Sequence, residues 1–216
     1  MLRKFEVLVV ATGLLCANGG AEGAPRAGLV ASSWQLEFEF DDPGRLAFPA
    51  GRDGQSVNYW YMPFRVTNRT GRDVEFYPAF RLVTDTLQIV IGGEEVDPRV
   101  YDVIAALHAN DYPFFAPPAK ITGPLLQGEE NARASAIVFR DFDAQASGFT
   151  VYVGGLSGDV VRVPNPSSKP GAEPTDAASA TFLLQRTLAI RYELPGDPVT
   201  RHEATPVRVS REWVMR

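Results

Sequence analysis

The sequence is poor in the side chains that most catalytic and metal centres use. Its 216 residues include one cysteine, Cys16, and two histidines, His108 and His202. Cys16 lies in an N-terminal segment that we expect to be removed, so the mature chain would have no disulfide, no thiolate nucleophile and no cysteine-ligated metal. The two histidines are far apart, and neither has a neighbour at a spacing typical of metal ligands. The sequence therefore predicts no metal site, no catalytic residue and no cofactor, with His108 at a helix end and His202 in a polar loop.

The chain also lacks a run of basic residues and a hydrophobic stretch of membrane length. Lys and Arg number 21 against 26 Asp and Glu, and the net charge is −5. A mildly acidic protein without a basic patch has little electrostatic attraction for nucleic acid or anionic membranes. The apolar stretch from Val7 to Ala17 is shorter than the ~20 residues that span a bilayer as a helix. The sequence therefore predicts no nucleic-acid partner and no stable membrane anchor.

Residues 1–24 show the order of features that is typical of an export signal. Arg3 and Lys4 supply positive charge, the apolar stretch follows, and small residues lie around Ala21. We therefore expect cleavage between residues 18 and 25 and a secreted or periplasmic mature protein. The alternative is a buried N-terminal strand of a cytosolic protein.

Apolar and polar residues alternate along much of the remaining chain, which predicts antiparallel strands with one wet face. Clear examples are Ser33 to Phe40, Asn58 to Val66 and the stretch from Thr187 to Leu194. About nine such segments are expected, in the range of an immunoglobulin-like β-sandwich. Because proline cannot donate to a strand ladder, Pro78 places the strand Asp73 to Val83 at an edge or in a bulge. The predicted core between two sheets consists of Trp34, Phe38, Phe64, Phe76, Phe80, Phe149, Ile190 and Tyr192.

One helical pattern interrupts the strands. Four apolar residues between positions 100 and 107 recur at helical spacing, and an Asp-Pro pair precedes them as N-cap and first turn. This pattern predicts one short amphipathic helix from Asp97 to Ala109. The stretch from Tyr112 to Pro124 contains four prolines and is expected to be an extended excursion packed by Phe114 and Phe115.

Residues 164–180 form the one low-complexity segment, with four prolines and few apolar side chains. We interpret this segment as a flexible loop within a single β-sandwich domain of residues 25–216. The alternative is a linker between two domains. The chain that follows position 180 is too short to build a core of its own, which favours the loop.

Neighbouring aromatic residues provide the one suggestive binding feature. Tyr59 and Tyr61 lie on the same side of a predicted strand, ~7 Å apart. If that side faces solvent, the two rings would form a ligand-binding platform that stacks on sugars. The alternative is that the strand is buried on both sides, or that the excursion around Phe114 covers it. Large aromatic side chains are mostly buried in hydrophobic cores.

Four segments distributed over the chain have residue patterns similar to those of other proteins. The segments are Tyr59-Trp60-Tyr61-Met62, Val66-Thr67-Asn68-Arg69-Thr70-Gly71, Gly128-Glu129-Glu130-Asn131-Ala132 and Phe149-Thr150-Val151-Tyr152-Val153-Gly154-Gly155-Leu156. They resemble an uncharacterised family of secreted bacterial proteins of the planctomycete kind. The Thr-Asn-x-Thr-Gly turn and the later Gly-Glu turn before a strand also resemble turns of bacterial immunoglobulin-like modules. The resemblance implies no known activity. The glycosylation sequon at Asn68 is interpreted as part of a short hairpin turn.

The sequence as a whole favours an exported, non-catalytic binding or scaffolding domain, not an enzyme. No phosphate-binding loop and no nucleophile motif occurs, and adjacent carboxylates such as Asp41 and Asp42 are interpreted as turn residues. The expected partner is an unknown protein or glycan of the cell envelope. Two alternatives stay open: a carbohydrate-binding module that uses Tyr59 and Tyr61, and a hydrolase whose carboxylates are remote in sequence.

Overall fold

The computed structural model describes residues 34–49, 55–165 and 181–216 of the chain. Within these residues the fold is mainly β, with 54% strand and 9% helix, and its sheets are antiparallel, which confirms that part of the predicted fold class. The predicted export signal and positions 166–180 of the predicted loop lie outside the described residues. In chain order the strands are β1 (Glu37–Phe40), β2 (Gly44–Pro49), β3 (Ser56–Asn68), β4 (Val74–Phe76), β5 (Ala79–Thr84), β6 (Ile89–Ile91), β7 (Gly123–Leu125), β8 (Gly128–Arg140), β9 (Gly148–Gly154), β10 (Val160–Pro164), β11 (Thr181–Glu193) and β12 (Val207–Met215). The helices are α1 (Arg99–Leu107), α2 (Pro118–Ile121) and a 3-10 turn at Arg201–Glu203.

A four-stranded sheet is built around the long strand β3. β8 pairs with β3 along one edge, while β2 and β1 pair with opposite ends of its other edge. The alternation in β3 explains this position, because Trp60, Met62 and Phe64 point to one face and Tyr59 points to the other, and all four are buried. The strand is therefore covered on both faces.

A six-stranded sheet contains the later strands. Its order is β10-β11-β9-β5-β6, with β12 paired to β11. The predicted strand from Asp73 to Val83 does not form as one piece: β4 ends before Pro78 and β5 begins after it. β4 pairs with β7 in a separate two-stranded sheet, while β5 enters the six-stranded sheet. Pro78 thus marks the point where the chain passes between sheets.

One hydrophobic core joins the faces of the two larger sheets, both of which are open. Seven of the eight predicted core residues are buried, with exposures between 0% and 7%, while Trp34 is partly buried against the same core. Complete burial of such a side chain stabilises the fold by roughly 1.5–3 kcal/mol. The predicted core is therefore confirmed, with Trp34 at its margin.

α1 covers the outer face of the four-stranded sheet and builds a second hydrophobic cluster there. Its N-terminal turn is organised by Asp97, whose Oδ1 accepts a hydrogen bond from the Arg99 backbone N–H at 2.9 Å. The buried residues of α1 are Val100, Tyr101 and Ile104. Leu107, expected on the apolar stripe, is 60% exposed, because the helix packs through the Tyr101 side of its surface. The predicted helix is confirmed, but the face that contacts the sheet is rotated from the predicted apolar stripe towards Tyr101.

The excursion after α1 differs from its predicted form. It contains a second short helix, α2, so the expectation of one helix was wrong. Phe114 is 96% exposed and has a left-handed φ of 65°, which turns its side chain away from the fold. Phe115 does pack, against the second cluster, and bridges to Ala134 of β8. Among the described residues, no helix has the length and apolar character needed to cross a membrane.

Candidate functional site

The structure places Tyr59 and Tyr61 under α1. Tyr59 is 3% exposed and belongs to the cluster that α1 buries. Tyr61 is half-buried, and its hydroxyl lies 3.2 Å from Nε2 of His108, at the end of α1. Burial, and then the nearby Asp41 charge, raise the pKa of Tyr61. Since Tyr59 is enclosed, the pair does not form an open stacking platform on this face of the sheet.

His108 occupies the predicted helix-end position and fastens α1 to the sheet. It caps the C-terminus of the helix through its N–H bond to the Ile104 carbonyl at 3.1 Å. Its ring meets the rings of Tyr61 and Tyr112 edge to face, with centroids 5.6 and 6.2 Å apart. His202 lies in the 3-10 turn, and its side chain lies outside the described part of the structure. Within that part, no group of three or more His, Cys, Asp or Glu residues is arranged to hold a metal ion.

Several of the paired carboxylates support the fold. Asp42 accepts a hydrogen bond from the buried Tyr192 hydroxyl at 3.1 Å. Asp141 accepts one from the indole N–H of Trp60 at 2.8 Å and one from Arg45 at 2.9 Å. These contacts agree with the interpretation of such residues as turn and structural groups.

A cavity of about 610 Å³ lies at one end of the six-stranded sheet, on its outer face. We call it the sheet-end cavity. It is formed where β5, β9 and β11 end or begin and where β12 starts. The outward side chains that define it are Asp85, Thr150, Tyr152, Arg191, Glu193 and Val207. Their neighbours Phe149, Val151 and Tyr192 point the other way, into the core.

The strand register explains why the surface is concave here. Thr150 on β9 lies between Val83 on β5 and Arg191 on β11, in strands ~4.8 Å apart. In the next row Gly148 lies opposite Glu193, so the middle strand carries small residues and its neighbours carry large ones. A Cβ at Gly148 would lie 2.8 Å from the Tyr192 carbonyl oxygen, so the close approach of the two strands requires glycine.

Asp85 is held rigidly at one side of the sheet-end cavity. Its carboxylate accepts hydrogen bonds from the Ser147 backbone N–H at 3.0 and 3.1 Å and from the Ser147 hydroxyl. The Asp85 N–H donates to the Gly148 carbonyl at 3.0 Å. Burial raises the pKa of the Asp85 carboxyl, but the hydrogen bonds from Ser147 and Gly148 outweigh it and the pKa is lower than usual. Asp85 is therefore a fixed negative charge at neutral pH.

The other polar groups of the sheet-end cavity have unused hydrogen-bonding capacity. Within the described ranges, the side chains of Thr150, Arg191 and Glu193 make no hydrogen bond or ion pair with another residue. Arg191 and Glu193 are exposed and lie on one face of β11, ~7 Å apart. The Arg216 guanidinium lies over the ring of Tyr152, 3.9 Å from the ring centroid. The arrangement offers a donor group, an acceptor group and a hydroxyl around one concave surface.

The sequence contains a partial signal for this site. The alternation in β11 correctly separates Leu188, Ile190 and Tyr192 from the outward Arg191 and Glu193. Alternation within one strand does not reveal which other strands lie beside it. The meeting of Asp85, Thr150 and Arg191 depends on the pairing of β5, β9 and β11, and these residues were not identified from the sequence.

Comparison of the chain with protein-family models, with curated proteins and with solved structures finds no match.

Proposed function

We propose that this protein is an exported, non-catalytic binding or scaffolding domain, secreted or periplasmic, and that its two larger sheets form one immunoglobulin-like β-sandwich. The observation that carries the proposal is the sheet-end cavity, where Arg191, Glu193 and Thr150 present polar groups that pair with no other residue in the described part of the chain. Membership of the secreted bacterial family that the sequence resembles belongs to the same proposal. The partner would be a component of the cell envelope.

The fold supports a binding role because it fixes the backbone that carries Arg191 and Glu193. Arg191 and Glu193 belong to β11, which pairs with β9 on one side and β12 on the other. The residues between and beside them, Ile190 and Tyr192, are fully buried in the core. The backbone of a central strand with buried neighbours is already ordered, so ligand binding has to order only the side chains, and this favours affinity.

A hydrolase with remote carboxylates is the rival function, because Asp85 and Glu193 both line the sheet-end cavity. Hydrolysis of a glycosidic bond by two carboxyl groups needs one that is protonated, with a raised pKa. The hydrogen bonds from Ser147 lower the pKa of Asp85 and keep it ionised. This environment favours binding over acid catalysis at Asp85.

Capture experiments with the full chain test the proposal. The immobilised protein should retain a component of the native envelope fraction, and Arg191→Ala should weaken the retention about tenfold. Arg81→Ala is the matched control, because Arg81 is also exposed on the outer face of the same sheet but does not line the sheet-end cavity. Turnover on a panel of glycosides and esters that is lost in Glu193→Gln would overturn the non-catalytic proposal.

A further inference from the structure

We propose that the sheet-end cavity binds a glycan, a neutral polyhydroxylated ligand. The inference rests on the proposed binding function and names the ligand class for the same site. It also moves the expected sugar contact from the buried Tyr59 and half-buried Tyr61 to the open end of the six-stranded sheet.

The hydrogen-bonding groups of the cavity match those of sugar hydroxyls. An arginine side chain only donates, an ionised glutamate only accepts, and a threonine hydroxyl does both. Arg191, Glu193 and Thr150 supply one of each, and none of them is used by another described residue. A sugar hydroxyl is both a donor and an acceptor, so two adjacent hydroxyls can accept from Arg191 and donate to Glu193 at the same time. Bonds to ionised groups are the stronger kind.

The charge distribution disfavours a strongly charged ligand. Asp85 and Glu193 oppose an anion, whereas Arg191 opposes a cation, and all three line the same cavity. Like charges brought together at an interface cost binding free energy, so mixed charges select against both kinds of ion. A neutral ligand with many hydroxyls meets no such penalty.

The cavity is lined by apolar groups as well as polar ones, and both kinds occur among the residues of β5, β9 and β12. Val83 and Val207 provide surfaces on which the C–H face of a sugar ring can pack, whereas Arg216 already lies over the ring of Tyr152. The volume of about 610 Å³ falls within the ~300–1,000 Å³ of small-ligand sites. With Asp85, Thr150, Arg191 and Glu193 among its lining residues, the cavity is more polar than a lipid-like ligand would favour.

The test uses the full chain and three portions of one native envelope fraction: untreated, oxidised with periodate, or digested with protease. Periodate cleaves the carbon–carbon bond between adjacent hydroxyls and so destroys most glycans. Binding of the untreated portion is expected, with about a tenfold or greater loss after periodate and little change after protease. Arg191→Ala and Glu193→Gln should each weaken binding about tenfold, which corresponds to about 1.4 kcal/mol.

The control variants are Arg81→Ala and Glu212→Gln, which change charge on the same sheet outside the sheet-end cavity. Both should bind like the unmodified protein. Binding that survives periodate and is lost after protease would overturn the glycan inference while leaving the binding function in place. Periodate-sensitive binding that Arg191→Ala and Glu193→Gln do not weaken would overturn the assignment to this cavity. Failure to bind any portion would overturn the proposed function itself.

Discussion

The side-chain amide of Asn68 donates a hydrogen bond to the Leu125 carbonyl at 2.8 Å and so joins the end of β3 to β7. The same amide donates to the Arg72 carbonyl at 2.8 Å, while its oxygen accepts from the Thr70 backbone N–H at 3.0 Å. Asn68 is 0% exposed. The sequon therefore begins a turn, as expected, with Asn68 buried and Arg69 exposed, but it is not a hairpin turn, because β4 pairs with β7 and not with β3.

Asn68→Ala should strongly destabilise the protein. The substitution removes the side-chain donor to the buried Leu125 carbonyl, one of two side-chain donors to the Arg72 carbonyl and the acceptor of the Thr70 N–H. An unsatisfied buried group costs about 1–3 kcal/mol. We expect the free energy of unfolding, measured by urea denaturation, to fall by about 3 kcal/mol. Asn131→Ala removes a single exposed amide bond to the Gln127 carbonyl and should cost less than about 1 kcal/mol. Equal losses in the two variants would contradict the role assigned to Asn68.

Ser135→Ala should leave stability unchanged or raise it by up to about 1 kcal/mol. The Ser135 hydroxyl is fully buried and has no hydrogen-bond partner among the described residues, so its removal relieves a desolvation cost. Ser157→Ala is the matched comparison. The Ser157 hydroxyl donates to the Trp34 carbonyl at 3.2 Å and accepts from the Asp159 N–H at 3.2 Å. Its loss should lower the free energy of unfolding by about 1 kcal/mol, and a larger loss at Ser135 would be the opposite of the prediction.

Gly148→Ala should distort the strand pair that forms the sheet-end cavity. The new Cβ would lie 2.8 Å from the Tyr192 carbonyl oxygen, which belongs to the neighbouring strand backbone. Forced separation of β9 and β11 should cost about 1–3 kcal/mol in a thermal or urea denaturation measurement. Gly154→Ala, in the same strand, would place its Cβ at an ordinary 3.5 Å from Ala79 and should change stability by less than about 1 kcal/mol. Indistinguishable variants would refute the packing argument.

The raised pKa of Tyr101 should make the free energy of unfolding fall at alkaline pH. Burial raises its pKa from 10.0 to about 12 in the folded protein. Between these two values the unfolded chain loses the proton and the folded protein keeps it, so ionisation favours unfolding as the pH rises. Below pH 10 both states are protonated and the contribution is constant. The slope of the free energy of unfolding against pH, measured from pH 10 to 12, should become shallower in Tyr101→Phe. An unchanged slope would show that Tyr101 ionises normally.

The sequence alone was sufficient for the antiparallel class, the main helix and most of the core. In β11, apolar residues at every second position predict a strand with one buried face, because successive side chains point to opposite sides of a sheet. The same argument correctly places Phe64, Phe149 and Ile190 in the core. These features depend on neighbours along the chain, so a local sequence pattern is enough to predict them.

Tertiary structure decided which faces are covered and which strands lie side by side. Tyr59 and Arg191 occupy similar outward positions on their strands, yet α1 encloses Tyr59 whereas Arg191 stays exposed. Pro78 predicts a break in strand pairing, but only the pairing itself determines that β4 and β5 enter different sheets. The sheet-end cavity likewise requires Asp85, Thr150 and Arg191 to meet across three strands. Such contacts arise from the pairing of strands that are distant in sequence and from the packing of helices on sheet faces, and alternation within one strand carries no information about them.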